Sequence, residues 1–176
     1  MGGKSTVLKS LSMVSLYAQI GCYVPASRAV LPVFDRIFMR IGATDHGSMG
    51  LSTFMVEMLD LRRILLTATS RSLILIDELG RGTSALDGLS LVLAVKEHLI
   101  SLGAWTVMST HFSEIGDRST LNMKMAVHEG TLTYKLCEGV SDSSFGIGVA
   151  EMARFPDEVV EGARAYLGCG SSMLHQ

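Results

Sequence analysis

Apolar and polar positions alternate along the chain in helix-length and strand-length blocks. Residues 4–20 hold no Pro or Gly and carry Val7, Leu8, Leu11, Val14, Leu16, Tyr17 and Ile20 on most sides of a helical turn, which predicts a buried helix. Gly21–Pro32 is a connector with room for a short strand at Cys22–Val24, and Phe34–Ile41 is apolar and aromatic enough for a strand. Gly42–Gly50 reads as a loop with turn residues at Asp45–Ser48, and 53–69 as a second helix with Ser52 as its N-cap. Leu73-Ile74-Leu75-Ile76 is the pattern of a central parallel strand, buried on both faces. A third helix is predicted over 88–102 and a strand over Trp105–Ser109. Asn122–Val127 and Thr131–Leu136 alternate as a hairpin turned at His128-Glu129-Gly130. Two short helices, 145–155 and 157–167, flank Pro156, which suits a first helical turn. Gly168–Gln176 reads as a frayed tail.

Composition narrows the class. The chain has 176 residues, enough for a sizeable core, and 48% of them are hydrophobic. Only 18% are charged, below the roughly 25% of an average globular domain. Mean hydropathy is +0.36, yet Ile64–Leu66, Leu73–Ile76 and Leu91–Val95, the longest apolar runs, fall far short of the about 18 residues of a membrane span. A buried sheet, or surface covered by a partner, accounts for the apolar excess, and disorder is excluded. Net charge is −2, so the chain lacks the basic balance of a stand-alone nucleic-acid binder. Cys22, Cys137 and Cys169 form no CxxC pair, which argues against zinc and a disulfide framework and for reduced thiols inside the cell. No secretory signal pattern opens the chain.

The candidate chemistry sits at two places. Met1-Gly2-Gly3-Lys4-Ser5-Thr6 matches the second half of the phosphate-binding pattern G-x-x-x-x-G-K-[ST], directly ahead of a predicted helix. A helix N-terminus presents free N–H groups and positive dipole to a phosphate. The pattern's first glycine, the residues after it and a strand feeding the loop are expected upstream of Gly2. Asp77-Glu78 then follows the buried apolar strand, at the strand end where open α/β sheets bind ligands. A Gly-Lys-Ser triplet or an acidic turn alone is common; the two together point to a nucleotide. His111, after the next strand, falls on the same predicted edge.

Several stretches together resemble the ATPase domain of the MutS family of DNA mismatch-repair proteins: Met1–Thr6, Ala18-Gln19-Ile20-Gly21, Arg40-Ile41-Gly42-Ala43, Ser52-Thr53-Phe54-Met55, Asp77-Glu78-Leu79-Gly80-Arg81-Gly82-Thr83-Ser84, Thr110-His111-Phe112 and Ser144-Phe145-Gly146-Ile147. Ala18–Pro25 and Gly139–Ala163 look most like the eukaryotic MutS homologue two type. The resemblance implies an α/β P-loop NTPase of the ABC-ATPase type. Its sheet is mostly parallel and lacks the first strand, and a C-terminal helix-turn-helix follows. The implied divisions are an ATPase core at 1–140, a helix-turn-helix dimerisation element at 141–167 and a tail at 168–176. It also implies ATP and Mg²⁺ as ligands. Gly2, Gly3, Lys4, Ser5 and Thr6 would form the phosphate loop, with Ser5 and Asp77 holding the metal. Glu78 would orient and polarise the attacking water, and His111 would sense the γ-phosphate. Ser52 would act across a dimer on the partner's nucleotide, and Asp87 would connect the two sites. The implied partners are a second MutS-family subunit and mismatched double-stranded DNA, the latter contacted through other domains. The implied place is intracellular, nuclear in a eukaryote and otherwise cytoplasmic, with no membrane.

Some features depart from the family pattern. Half of the phosphate loop lies outside the chain, so weak nucleotide affinity is expected of these residues alone, and Gly148 stands where many members have histidine. A transporter nucleotide-binding domain is the first rival, but it would need Leu-Ser-Gly-Gly-Gln where this chain has Leu51-Ser52-Thr53-Phe54-Met55. The second rival is an inactive fragment that only dimerises.

Overall fold

The computed structural model describes residues 3–42, 53–128, 131–140 and 146–173. In chain order the elements are α1 (Lys4–Gln19), β1 (Ile37–Arg40), α2 (Thr53–Thr67), β2 (Leu73–Asp77), α3 (Ala85–Leu102), β3 (Trp105–Ser109), a 3-10 turn (Ser113–Ile115), β4 (Met123–His128), β5 (Thr131–Glu138), α4 (Gly146–Met152) and α5 (Asp157–Met173). The chain divides into two compact units, Met1–Thr120 and Leu121–Gln176.

The first unit is a parallel sheet in the order β1-β2-β3, the mixed α/β arrangement expected. Side chains alternate across a strand, and β2 uses both faces. Leu73 and Leu75 pack with Leu8 of α1 and with Phe34. Ile74 and Ile76 pack with Leu61 and Ile64 of α2 and with Val92, Val95 and Leu99 of α3. All five β2 residues are buried, and each large aliphatic side chain taken from water contributes about 1.5–3 kcal/mol.

Boundaries differ from the sequence reading for local reasons. The strand expected over Phe34–Ile41 is only Ile37–Arg40, and side-chain bonds fasten the residues ahead of it. The Phe34 amide donates to Gln19 Oε1 at 2.6 Å, and Asp35 accepts from the hydroxyls of Thr69 and Ser72 at 2.7 and 2.8 Å. Those two hydroxyls hold the Asp35 carboxyl below its ordinary range. No strand forms at Cys22–Val24; the Cys22 amide instead donates to the Tyr17 carbonyl at 2.8 Å. Helix α3 starts ahead of the expected residue 88, since Ser84 caps it and accepts from the Asp87 amide at 3.2 Å. Lys96 of α3 is buried and donates to the Ile115 carbonyl at 2.8 Å and to Asp117 at 2.6 Å.

In the second unit β4 and β5 pair antiparallel, with an irregularity between Met125 and Val127. Helix α4 ends where Arg154 turns left-handed (φ 57°) and the Phe155 amide returns to the Ala150 carbonyl at 3.0 Å. Pro156 then precedes α5, whose Arg164 pairs with Glu151 of α4. Helix α5 runs to Met173, past the tail expected from residue 168. The glycines at 168 and 170 cost about 1 kcal/mol each in a helix, and the seventeen-residue helix runs through both. Residues 43–52, 129–130 and 141–145 lie outside the described residues, and with them the expected loop at 42–50 and the expected hairpin turn. Among the described residues no helix is long and apolar enough to cross a membrane.

Two stability outcomes follow from this core. Ile74 is fully buried, so Ile74→Ala is expected to cost about 2–5 kcal/mol in denaturant unfolding. Asp117 titrates at about 2 against an ordinary 3.8, through hydrogen bonds from Lys96 and then Ser119. A lowered carboxylate pKa stabilises the fold fully above about pH 3.8, and that contribution is lost as pH falls toward 2. Wild type and Asp117→Asn should differ in thermal midpoint at pH 5 and converge near pH 2.

Candidate functional site

The carboxyl ends of β2 and β3 meet in register, with Asp77 opposite Ser109. Asp77 is 5% exposed, and a buried acid needs donors. The Ser109 hydroxyl supplies one in a short hydrogen bond to Oδ1. The chain leaves β2 in a tight turn. Glu78 adopts a left-handed conformation (φ 52°), and its amide donates to the Ser109 carbonyl at 3.1 Å. Its side chain is one-quarter exposed and pairs with the Arg81 guanidinium at 2.7 Å. An exposed pair of this kind is worth about 0–1 kcal/mol, so Glu78 is free to exchange partners.

Helix α1 opens on the same edge. Gly3 is left-handed (φ 88°) at its N-cap, a backbone shape that points successive amides at one spot and favours an anion. Lys4 Nζ donates to the Thr110 carbonyl at 2.9 Å, just past β3, which uses one of its three donors. Ser5 is partly buried in the first helical turn and Thr6 is exposed. His111 is exposed and lies against the Phe112 ring, centroids 4.0 Å apart. Asp87 stands in the first turn of α3, where its carboxylate accepts from Ser84 at 2.8 Å. Gly2 and Ser52 lie outside the described residues.

The structure therefore gathers Lys4, Asp77, Glu78 and the Ser109–His111 segment at one sheet edge. Asp87 is engaged in capping its own helix. Among the described residues no three His, Cys, Asp or Glu side chains cluster as a metal site; the hydroxyl of Ser5 and the carboxylate of Asp77 are hard oxygen donors, the kind magnesium takes. Sequence reasoning passed over Ser109 and Arg81. For Ser109 the signal was a polar residue ending a strand beside Asp77, visible only once the register is known.

The turn carrying Glu78 is wedged against its neighbours. Gly80 is left-handed (φ 84°), and a Cβ there would lie 3.0 Å from the Cα and O of Gly88 in α3. A Cβ on Gly88 would reach 2.5 Å from the Gly80 carbonyl oxygen. No side chain fits between α3 and this turn.

A parallel sheet whose carboxyl edge carries a glycine-lysine helix start and an adjacent acidic pair makes this an α/β domain, a class in which ligands are generally bound at the strand ends. Comparison with known proteins names the family. The family model described as MutS domain V matches residues 1–168, and the chain belongs to the MutS family. It is 44% identical over 177 residues to the DNA mismatch repair protein MutS of Bacillus pumilus, covering 95% of this chain and 21% of that protein. Identity to the MutS of Thermotoga maritima is 45% over 175 residues, with 94% of this chain and 22% of the relative covered. The DNA mismatch repair protein msh-2 of Neurospora crassa is 43% identical over 192 residues, with 93% and 20% covered. The chain thus spans about a fifth of the length of the curated relatives it matches.

Gly88→Ala should destabilise the first unit by about 1–3 kcal/mol, the usual cost of forcing atoms into a packed site. Urea unfolding checks this, and an unchanged midpoint would mean that α3 and the turn do not press together.

Proposed function

We propose that this chain is the ATP-binding and ATP-hydrolysing domain of a MutS-type DNA mismatch-repair protein, a P-loop ATPase of the ABC type. In the whole protein its turnover would be coupled to recognition of mismatched DNA and to clamp sliding. One observation carries the reading: Lys4 Nζ lies 2.9 Å from the Thr110 carbonyl, while Asp77 is paired in register with Ser109 next door. The helix start that suits phosphate and the edge that carries two carboxylates are thereby one place.

The roles follow from chemistry. The α1 amides and the Lys4 ammonium bind and neutralise the β- and γ-phosphates. The Ser5 hydroxyl and the Asp77 carboxylate would hold magnesium, which would supply further neutralisation of phosphate charge. Glu78 orients the attacking water and accepts its proton. His111, on the neighbouring strand end, contacts the γ-phosphate. Ser52 reaches the nucleotide of a second MutS-family subunit, and Asp87 links the two sites. Residues 141–167 contribute to the dimer, and mismatched DNA is held by domains outside these residues. The setting is the nucleus in a eukaryote and the cytoplasm in a bacterium. Identity to msh-2 of Neurospora, at 43%, is level with that to bacterial MutS. The assignment to the MutS homologue two type therefore rests on Ala18–Pro25 and Gly139–Ala163.

A second reading, a module that only dimerises, is favoured by the exposure of Met152, Phe155, Val159, Tyr166 and Leu167. ATP turnover separates the two. In a chain with the phosphate loop completed upstream, Glu78→Gln should cut hydrolysis by about 10²-fold or more, the scale of general-base loss, while ATP binding survives. Asp77→Ala should weaken Mg-ATP binding itself. Hydrolysis by Glu78→Gln at the wild-type rate would remove the general-base role.

The shared-site arrangement has its own test, mixing Lys4→Ala and Ser52→Arg chains. Both lesions fall on one site if Ser52 acts in trans, so the mixed dimer should regain about half of wild-type turnover while each homodimer stays inactive. An assembled mixed dimer without activity would exclude a composite site.

A further inference from the structure

Helix α2 buries Glu57, Leu61 and Ile64 on one face. Two of these are ordinary core residues, and the third is a carboxylate only 5% exposed. Its Oε1 accepts the Gly80 amide at 3.1 Å and lies 3.9 Å from the guanidinium of Arg40, itself 7% exposed at the end of β1. Arg40 Nε has no hydrogen-bond partner. Two buried charges held this loosely are not an efficient stabilising pair. What the Glu57 carboxylate does supply is an acceptor for a specific amide, two residues after Glu78.

That amide matters because of where it lies. Glu78 and Gly80 are both left-handed, so the turn between β2 and α3 departs from any regular element and has few ladder bonds to hold it. The Glu78 amide is tied to the Ser109 carbonyl on one side, and Gly80 presses on Gly88 on another. A Cβ on Gly82 would fall 2.8 Å from the Cβ of Phe54, also on α2. Helix α2 adds a polar tie, from the Gly80 amide to Glu57. A left-handed non-glycine residue persists only when its surroundings over-determine it, and the direction of the Glu78 side chain is set by that backbone.

We infer that Glu57, backed by Arg40, is a positioning residue: its carboxylate holds the Gly80 amide and thereby fixes the turn that aims Glu78. The inference rests on the proposed hydrolysis of ATP and deepens it. It makes α2, the helix that begins just after Ser52, mechanically continuous with the turn that carries the water-orienting acid. Displacement of α2 then moves Glu78.

The test compares two double variants, because Glu57→Ala alone would strand a buried guanidinium and unfold the domain. R40M/E57Q removes both charges and keeps an oxygen on the Gly80 amide. R40M/E57L removes both charges and the acceptor. The first readout is amide exchange at Gly80 by NMR in the chain, with Leu75 and Ile76 of β2 as internal references. Exchange at Gly80 should be about tenfold or more faster in R40M/E57L than in R40M/E57Q, with the β2 amides equally protected in both. The second readout is steady-state ATP hydrolysis and ATP affinity in the full-length protein containing this domain. Relative to R40M/E57Q, R40M/E57L should lose about 10- to 100-fold in kcat, as a slightly misplaced group does, with ATP affinity unchanged. Equal Gly80 exchange in the two variants, or equal kcat despite faster exchange, would overturn the positioning role. So would a parallel loss of affinity and kcat, which marks a structural defect. A wild-type protein that fails to hydrolyse ATP would bring down the functional reading and this role with it; slow Gly80 exchange in R40M/E57Q would then show that the tie exists and that the function was misassigned.

Discussion

Strand β2 lies between two other parallel strands and under helices on both faces, so none of its residues from Leu73 to Asp77 reaches solvent along the strand. Four aliphatic side chains satisfy that environment at no polar cost, but the fifth is an acid. Asp77 is tolerable there only because the sheet ends where it does, and because the parallel register brings the Ser109 hydroxyl opposite it. A shift of one residue in the β2–β3 pairing would turn the apolar set onto wrong faces and leave the acid without its donor. The same register carries Thr110 past the end of β3, where its carbonyl takes the Lys4 ammonium, and so seats the start of α1 on the edge.

From that edge outward, the site is controlled by backbone more than by side-chain charge. The ion pair of Glu78 with Arg81 is largely exposed on the arginine side and weak. The left-handed turn is held by the Ser109 carbonyl, by glycine-on-glycine packing with α3 and by the Glu57 acceptor on α2. The backbone of Glu78 is thus fixed while its carboxylate is only loosely engaged. The chain shares membership of the MutS family with proteins named for DNA mismatch repair, and ATP is the ligand proposed above for this edge.

Much of this was open to inspection in the residues. A run of four aliphatics followed by two acids specifies a buried parallel strand and its exit, because no other element buries both faces in so few residues. Gly3-Lys4-Ser5 ahead of a glycine-free, apolar stretch marks a helix start suited to phosphate. The hairpin and the paired C-terminal helices were legible too, through alternation and through Pro156. All these signals are local: they depend on periodicity and on the conformational limits of Gly and Pro.

Other features depend on which distant segments end up adjacent, and periodicity carries no such information. Phe34 reads as strand, yet its amide turns to the Gln19 side chain, while Asp35 keeps a backbone bond to Arg71 and its carboxylate takes the hydroxyls of Thr69 and Ser72. Gly88 looked like a helix boundary; in the folded chain it lies inside α3, bare of side chain because the Gly80 carbonyl oxygen lies against it. Glu57 sits on the buried stripe of α2 and looks like a flaw in an amphipathic pattern until the Gly80 amide is found beneath it. The sequence by itself determined the elements, their order and the chemistry available at the strand ends, since each follows from short-range sterics and hydrophobic spacing. Only the tertiary structure decided which amide, hydroxyl or glycine meets each polar group, because burial makes such groups depend on partners that chain distance does not predict.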